Sequence, residues 1–309
     1  MILCGEDLQL GSDQIRDAAM ETAHHYRTGL RDILKLSSLD RYYVSIDDEK
    51  LLKDMPKSTK SSFEKITKNA KRRTSTQVID KFTLADANGR RLFVEDRPVL
   101  THLEPELVHQ VEDAFEHYKK TVRPDIALLL SQHILTDAAR RVVGVGSVGT
   151  RCYVLALTCE NASHLVLQIK EANPSVISMF NQTNFPPPHP ITAITNQGYR
   201  VAKYQQILQA VSDPFLGHFQ ANGRDFYVRQ FRDMKGSIEV AALTDDGFKR
   251  YAAHCGFLLA RAHAQSPNAN WVAGYMGKSP LFDQMIVNWC YTYTKQVYMD
   301  YEKFIKWKA

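Results

Sequence analysis

Residues 140–172, RRVVGVGSVGTRCYVLALTCENASHLVLQIKEA, decide the fold. From about residue 141 they read as three runs rich in β-branched and aromatic residues, separated by a Gly-rich turn and an Asn/Ser turn. That is the pattern of consecutive antiparallel strands. Downstream come a proline-rich loop, FPPPHP at 185–190, and a helical pattern over 198–212 with Val201, Gln205, Leu208 and Val211 on one face. FLGHFQANGRDFYVRQF at 215–231 then reads as a hairpin turning at Asn222-Gly223. Residues 141–235 are therefore expected to form an antiparallel sheet carrying one helix.

Outside this segment the periodicity is mostly helical. Ser12 as N-cap, with Asp13 in the first turn, opens a helix to about residue 36 on the phase of Ile15, Ala19, Thr22, Tyr26, Leu30 and Ile33. A small hairpin is expected over 82–96 around Asn88-Gly89, and a helix over 104–122 with Leu107, Val111, Ala114, Phe115 and Tyr118 in phase; an apolar run follows at 124–135. Residues 1–140 thus read as mostly helical. Residues 236–309 return to helix at 245–266 and 280–306. In the last of these, Phe282, Ile286, Trp289, Tyr293 and Val297 are expected to form a core stripe. The class is α+β, a sheet joined to a helical lobe.

The glycines of the opening stretch carry chemistry. Gly144, Gly146 and Gly149 form G-x-G-x-x-G, a pattern shared by two unrelated nucleotide sites. In a dinucleotide fold it opens a helix whose N-terminus takes the pyrophosphate. Here CYVLALT follows, which is a strand. Strand, Gly-rich turn, strand is the protein-kinase arrangement, where backbone N–H groups of the turn approach the ATP phosphates and a lysine on the next strand holds them. Lys170, 21 residues beyond Gly149, stands where that lysine would stand. The alternative is an ordinary Gly-turned hairpin with a surface lysine.

Several residues depart from full kinase chemistry. Arg151 occupies the position usually held by valine after the third glycine. The helix at 198–212, which should supply a glutamate to the lysine, has no acid, and Gln205, Gln206 or Gln209 could donate only a neutral hydrogen bond. No H-x-D with a following asparagine and no D-F-G is present, so neither a catalytic base nor a metal-binding pair is visible. Asp233 and Lys235, in RDMKGS, are weak polar candidates near the sheet.

Composition excludes other classes. At 309 residues, 44% hydrophobic and 24% charged, the chain has the makeup of a folded globular protein. No stretch approaches ~18 apolar residues, so no membrane span is expected, and the start lacks the basic and apolar regions of a signal peptide, so a cytoplasmic location is expected. Five scattered cysteines without a C-x-x-C pair argue for buried free thiols rather than disulfides or zinc. The net charge of +5 is local: residues 57–73 hold seven basic residues against Glu64, so the remainder sums to −1. That block reads as a solvated helix face with Phe63, Ile66 and Ala70 turned inward, without the interleaved aromatics of a single-strand binder, and a nucleic-acid partner is not expected. His24 and His25 have no companion at ligand spacing and read as ordinary helix residues.

RRVVGVGSVGTRCYV, LQIKEA, GRDFYVRQFRDMKGS, CGFLLARAHA and VAGYMGKS closely resemble the bacterial family catalogued as domain of unknown function 2252. The resemblance implies a permuted fold similar to aminoglycoside phosphotransferases and protein kinases, with G-D-x-H-x-x-N-F-G and D-F-D stretches ahead of the Gly-rich hairpin. It further implies an N-terminally truncated member, matching the C-terminal two-thirds of the pattern. Gln197 stands where histidine is common. The implied nucleotide site comprises Gly144, Gly146 and Gly149, Ser147 capping the turn, Lys170 on the α/β phosphates, and backbone near Arg229 and Gln230 meeting the base. The expected ligand is ATP or another nucleotide with magnesium, the metal being held by residues upstream of Met1 or by another chain. The expected function is a nucleotide-binding, phosphotransferase-like protein of the bacterial cytoplasm. The alternative is a non-catalytic remnant that binds a nucleotide or a protein partner.

Overall fold

The computed structural model describes residues 1–44, 75–87, 90–142, 144, 149–160, 163–180, 196–231 and 238–308. In chain order the elements are α1 (Ile2–Asp7), α2 (Ser12–Ile33), α3 (Ser38–Tyr43), α4 (Ser75–Phe82), β1 (Thr83–Ala85), β2 (Arg91–Phe93), β3 (Leu100–His102), α5 (Pro105–Lys119), α6 (Pro124–Ser131) and β4 (His133–Arg141). Then follow β5 (Cys152–Cys159), β6 (His164–Glu171), α7 (Val176–Phe180), α8 (Gln197–Leu208), β7 (Gly217–Ala221), β8 (Arg224–Gln230), α9 (Asp245–His263), α10 (Ala269–Met276) and α11 (Leu281–Lys308). The chain is α+β and falls into two units. Met1–Ile66 joins Ser237–Ala309 in a helical unit, and Thr67–Gly236 forms a sheet unit. The sheet unit begins well before residue 141, because α5 and α6 pack on the sheet.

The helical unit is built on the pair α2 and α9, which approach closely where side chains are small. A Cβ on Gly256 would lie 2.1 Å from the Thr22 carbonyl oxygen, and one on Gly29 would lie 2.9 Å from the Phe257 ring. The N-cap of α2 is Gly11 rather than Ser12, and its N–H donates to the Gln14 side chain at 2.7 Å. Arg27 of α2 and Asp283 of α11 form a buried ion pair. The expected core stripe of α11 holds in part: Phe282 and Ile286 pack half-buried against the core and Asp283, Val287 and Thr294 are buried, whereas Trp289 and Tyr293 stack on each other with 57% and 54% exposure. Asp283 can sit in the inner row because Arg27 neutralises it there, and the large rings stand outside that row.

In the sheet unit six antiparallel strands run in the order β3-β4-β5-β6-β8-β7, and β1 pairs with β2 as a separate small hairpin. The strand entering the Gly-rich turn starts at His133, earlier than its sequence suggests. A register shift between Leu135 and Asp137 breaks the in–out alternation that marks a strand. The β7–β8 turn matches its reading: Asn222 and Gly223 take φ of 50° and 68°, the left-handed pair a two-residue hairpin needs.

Each sheet face has its own core. One face packs Leu155, Leu157, Leu167, Ile169 and Val228 against Val111, Phe115, Tyr118 and Leu130 of α5 and α6. On the other, Ala139, Val154, Ala156 and Val166 meet Ile79 of α4, Phe93, Leu100 and Phe231. α8 lies against β8 at Gly198, where a Cβ would come within 2.0 Å of the Phe226 carbonyl oxygen, so only glycine permits that approach.

Candidate functional site

The Gly-rich turn joins β4 to β5, and its two described glycines have positive φ, +43° at Gly144 and +79° at Gly149. Neither would meet a neighbour through a Cβ, so conformation rather than space demands glycine there. Gly146 and Ser147 lie outside the described residues, as do Asp233, Lys235, the loop at 185–190 and the basic block at 57–73.

Lys170 sits near the end of β6, opposite Cys152 of β5 and Tyr227 of β8, while Tyr227 is opposite His218 of β7. Residues directly opposite in an antiparallel ladder share a face. Arg141, two residues beyond the inward-facing Ala139, belongs to the same face. One row therefore reads Arg141, Cys152, Lys170, Tyr227, His218. The next row places Gln168 opposite Arg229. Three cations, Arg141, Lys170 and Arg229, thus share the end of one sheet face with buried Cys152 and Gln168.

The contacts around these groups differ. Gln168 donates to the Cys152 sulfur at 3.4 Å. Burial pushes the Cys152 thiol up, and the positive charges of Lys170 and Arg141 work in the opposite direction. Burial likewise raises the Tyr227 phenol, opposed by Arg229. The Arg141 guanidinium lies over the Phe82 and Phe231 rings, 5.2 and 4.7 Å from their centroids. Arg229 Nε is buried and lacks a hydrogen-bond partner, as is His218 Nδ1. The His218 imidazole is pushed down by burial and then by Lys203, and its ring meets Tyr199 of α8 edge-on at 5.2 Å.

The neighbouring carboxylates are engaged elsewhere. Glu171 accepts from the Arg151 backbone at 2.9 Å, from the Arg151 guanidinium at 3.1 Å and from Arg224 at 3.0 Å. Burial works to raise its pKa, but these hydrogen bonds outweigh it and hold the carboxyl below its ordinary value. Arg151, opposite Glu171, faces away from Lys170; Cys152 is the residue that faces the lysine. Asp225 caps the start of α8 through Asn196 and the Gln197 N–H, and Asp137 accepts from the N–H groups of Phe93 and Ala138. Asp213 accepts from the N–H groups of Phe215 and Gln230. The Gln230 N–H, expected near a base, is thus directed to Asp213, and Arg229 lies in the β6–β8 ladder.

The glutamines of α8 also point elsewhere. Gln205 donates to the Val201 carbonyl, and Gln206 donates to the Leu216 carbonyl while accepting from Lys203. Among the described residues, Lys170 and Arg229 have no carboxylate partner. Among the described residues no group of three or more His, Cys, Asp or Glu could hold a metal ion, and the carboxylates nearest Lys170 are held by backbone N–H groups and arginines. The sequence did not single out the side chains of Arg141 and Arg229 as site groups; only strand register brings them beside Lys170.

The helical unit offers a contrast. A cleft of about 300 Å³ there is lined by Glu21, His25, Asp246, Lys249, Arg250 and His254. Its charges answer one another: Lys249 pairs with Asp17 and Glu21 and Arg250 with Asp246, while the His25 ring lies 3.2 Å from the Glu21 carboxylate. All five cysteines are free thiols, Cys152 buried and Cys4 exposed. Among the described residues no helix is long and apolar enough to cross a membrane.

The chain belongs to the bacterial family described as "Uncharacterized protein conserved in bacteria (DUF2252)", whose model matches residues 1–307. That match covers nearly the whole chain and lends no support to the expected truncation. No curated protein and no solved structure matches the chain.

Proposed function

We propose that the sheet unit is a kinase-like nucleotide-binding module in which the turn between β4 and β5 covers phosphates and Lys170 neutralises them. The observation carrying this reading is Lys170 itself. It stands on the strand after the Gly-turned hairpin, with no carboxylate beside it among the described residues, on the face that also bears Arg141 and Arg229. The strand–turn–strand–strand–helix–helix–strand–strand order from β4 to β8, with positive-φ glycines at both ends of the turn, supports the likeness to kinases.

A non-catalytic binding role is the second reading. It is favoured by the carboxylates of the sheet unit, which hold backbone N–H groups and arginines rather than the lysine or a metal site. Phosphoryl transfer needs positioned charge and a base or water-orienting group that glycines and one lysine do not supply.

A thermal melt of the full chain with and without magnesium-ATP, beside Lys170→Ala, tests the proposal. A ligand confined to the native state adds about 2.7 kcal/mol at a hundredfold excess over Kd. That is several degrees of melting temperature. The shift is expected in the wild type and is expected to be absent in the variant. A folded wild type that ATP does not shift would refute the proposal.

A further inference from the structure

We infer that Arg141, Lys170 and Arg229 form a three-cation clamp for the phosphate chain of a polyphosphate ligand, and that this clamp binds the chain without a metal ion. The inference rests on the nucleotide-phosphate reading above and specifies the ligand chemistry of the same site. Kinase-type sites pair their lysine with a glutamate and hold the phosphates through magnesium. Here the cross-strand register substitutes two arginines: Arg141 on the row of Lys170, and Arg229 opposite Gln168 on the next.

Three observations carry the inference. First, the Nε of Arg229 is buried without a partner, which is costly unless a ligand or solvent supplies an acceptor. Second, Glu171, Asp225, Asp213 and Asp137, described acids on the strands and loops around this face, are each held by other groups, and none of them pairs with Lys170 or Arg229. Third, the apolar part of the face is filled by Ile79, Val154, Val166 and Phe231, so the cations gather beyond it, at the end of the strands where Lys170 stands. The Arg141 guanidinium rests on the Phe82 and Phe231 rings. Planar guanidinium forks suit adjacent phosphate oxygens better than a second lysine would.

The test is calorimetric titration of the full chain with sodium tripolyphosphate, pyrophosphate, orthophosphate and ATP, in a chelator and in magnesium. Wild type is compared with Lys170→Gln, Arg229→Gln and Arg229→Lys, and with Arg123→Gln, a surface cation paired with Asp125. Metal-free tripolyphosphate is expected to bind more tightly than pyrophosphate, and pyrophosphate more tightly than orthophosphate. Arg229→Gln should weaken tripolyphosphate about 10- to 100-fold, the worth of one or two charge-assisted hydrogen bonds. Arg123→Gln should leave it unchanged. If Arg229→Gln does not melt cooperatively, Arg229→Lys carries the test, with a smaller loss expected.

Binding of ATP that needs Lys170 but is indifferent to Arg229, or that appears only with magnesium, overturns the clamp and leaves the nucleotide reading standing. Tripolyphosphate binding that needs Arg229, with ATP binding no tighter, supports the clamp and removes the nucleotide. Equal weakening by Arg123→Gln would mean unspecific charge attraction and overturns the clamp. No binding of any of the four by folded protein overturns both.

Discussion

Asp283→Asn is expected to be among the most damaging single substitutions in the helical unit. Arg27 donates through Nε to Oδ1 and through Nη2 to Oδ2 of Asp283, both at 2.8 Å, and through Nη1 to the Lys278 carbonyl at 2.8 Å. Side-chain exposure is 5% for the arginine and 1% for the aspartate, so solvent cannot take over when one partner goes. Breaking a buried pair from one side costs about 3–5 kcal/mol, because the remaining charge is stranded. Asp283 also lies in the first turn of α11, where its negative charge contributes about 0.3–1 kcal/mol with the helix dipole. Against a total stability of ~5–15 kcal/mol this is a large fraction. At about 2–4 °C per kcal/mol, it lowers the melting temperature by roughly 6–20 °C. Urea unfolding followed by circular dichroism measures the loss. Replacing both partners with apolar groups, Arg27→Met with Asp283→Leu, should recover most of it, since an apolar pair of similar volume is often as stable as a buried ion pair. A loss below about 1 kcal/mol for Asp283→Asn, or a double variant as unstable as the sum of the two single ones, would refute the reasoning.

Two further outcomes follow from the sheet and helix contacts. Gly198→Ala would drive a methyl to 2.0 Å from the Phe226 carbonyl, so α8 must move off β8. A loss of at least about 2 kcal/mol in urea unfolding is expected, within the range for overpacked sites. Glu171, held below its ordinary pKa in the fold, contributes stability that is complete above the unfolded value of roughly 4.3 and is lost as pH falls through the lower folded value. Glu171→Gln should therefore destabilise at pH 7 and flatten the acid limb of the stability–pH profile; a limb of unchanged slope would count against the Arg151–Glu171–Arg224 arrangement.

Local dihedral demands were legible in the sequence. Gly144, Gly149 and the Asn222-Gly223 turn all take the positive φ that their residue types invite, while continuous apolar runs mark β5 and β6 and an alternating one marks β8. Lys170 is legible too, because its spacing from the turn is set along one chain. By contrast, the bulge near Leu135 hid the start of β4, and the rings of α11 masked an inner row anchored by Asp283. Family membership was legible too, since long runs of residues carry it.

The sequence by itself determined the α+β class, the order of strands around the Gly-rich turn and the position of Lys170, because each is set along one continuous stretch of chain. Only the tertiary structure decided that Arg151 turns to Glu171 while Cys152 faces the lysine, that Arg141 and Arg229 join it, and that Arg27 reaches Asp283 across 256 positions. Cross-strand register and buried charge pairing are set by contacts between distant segments. A slip of one residue flips every side chain of a strand to the other face, and that choice is made only when the sheet closes on its cores.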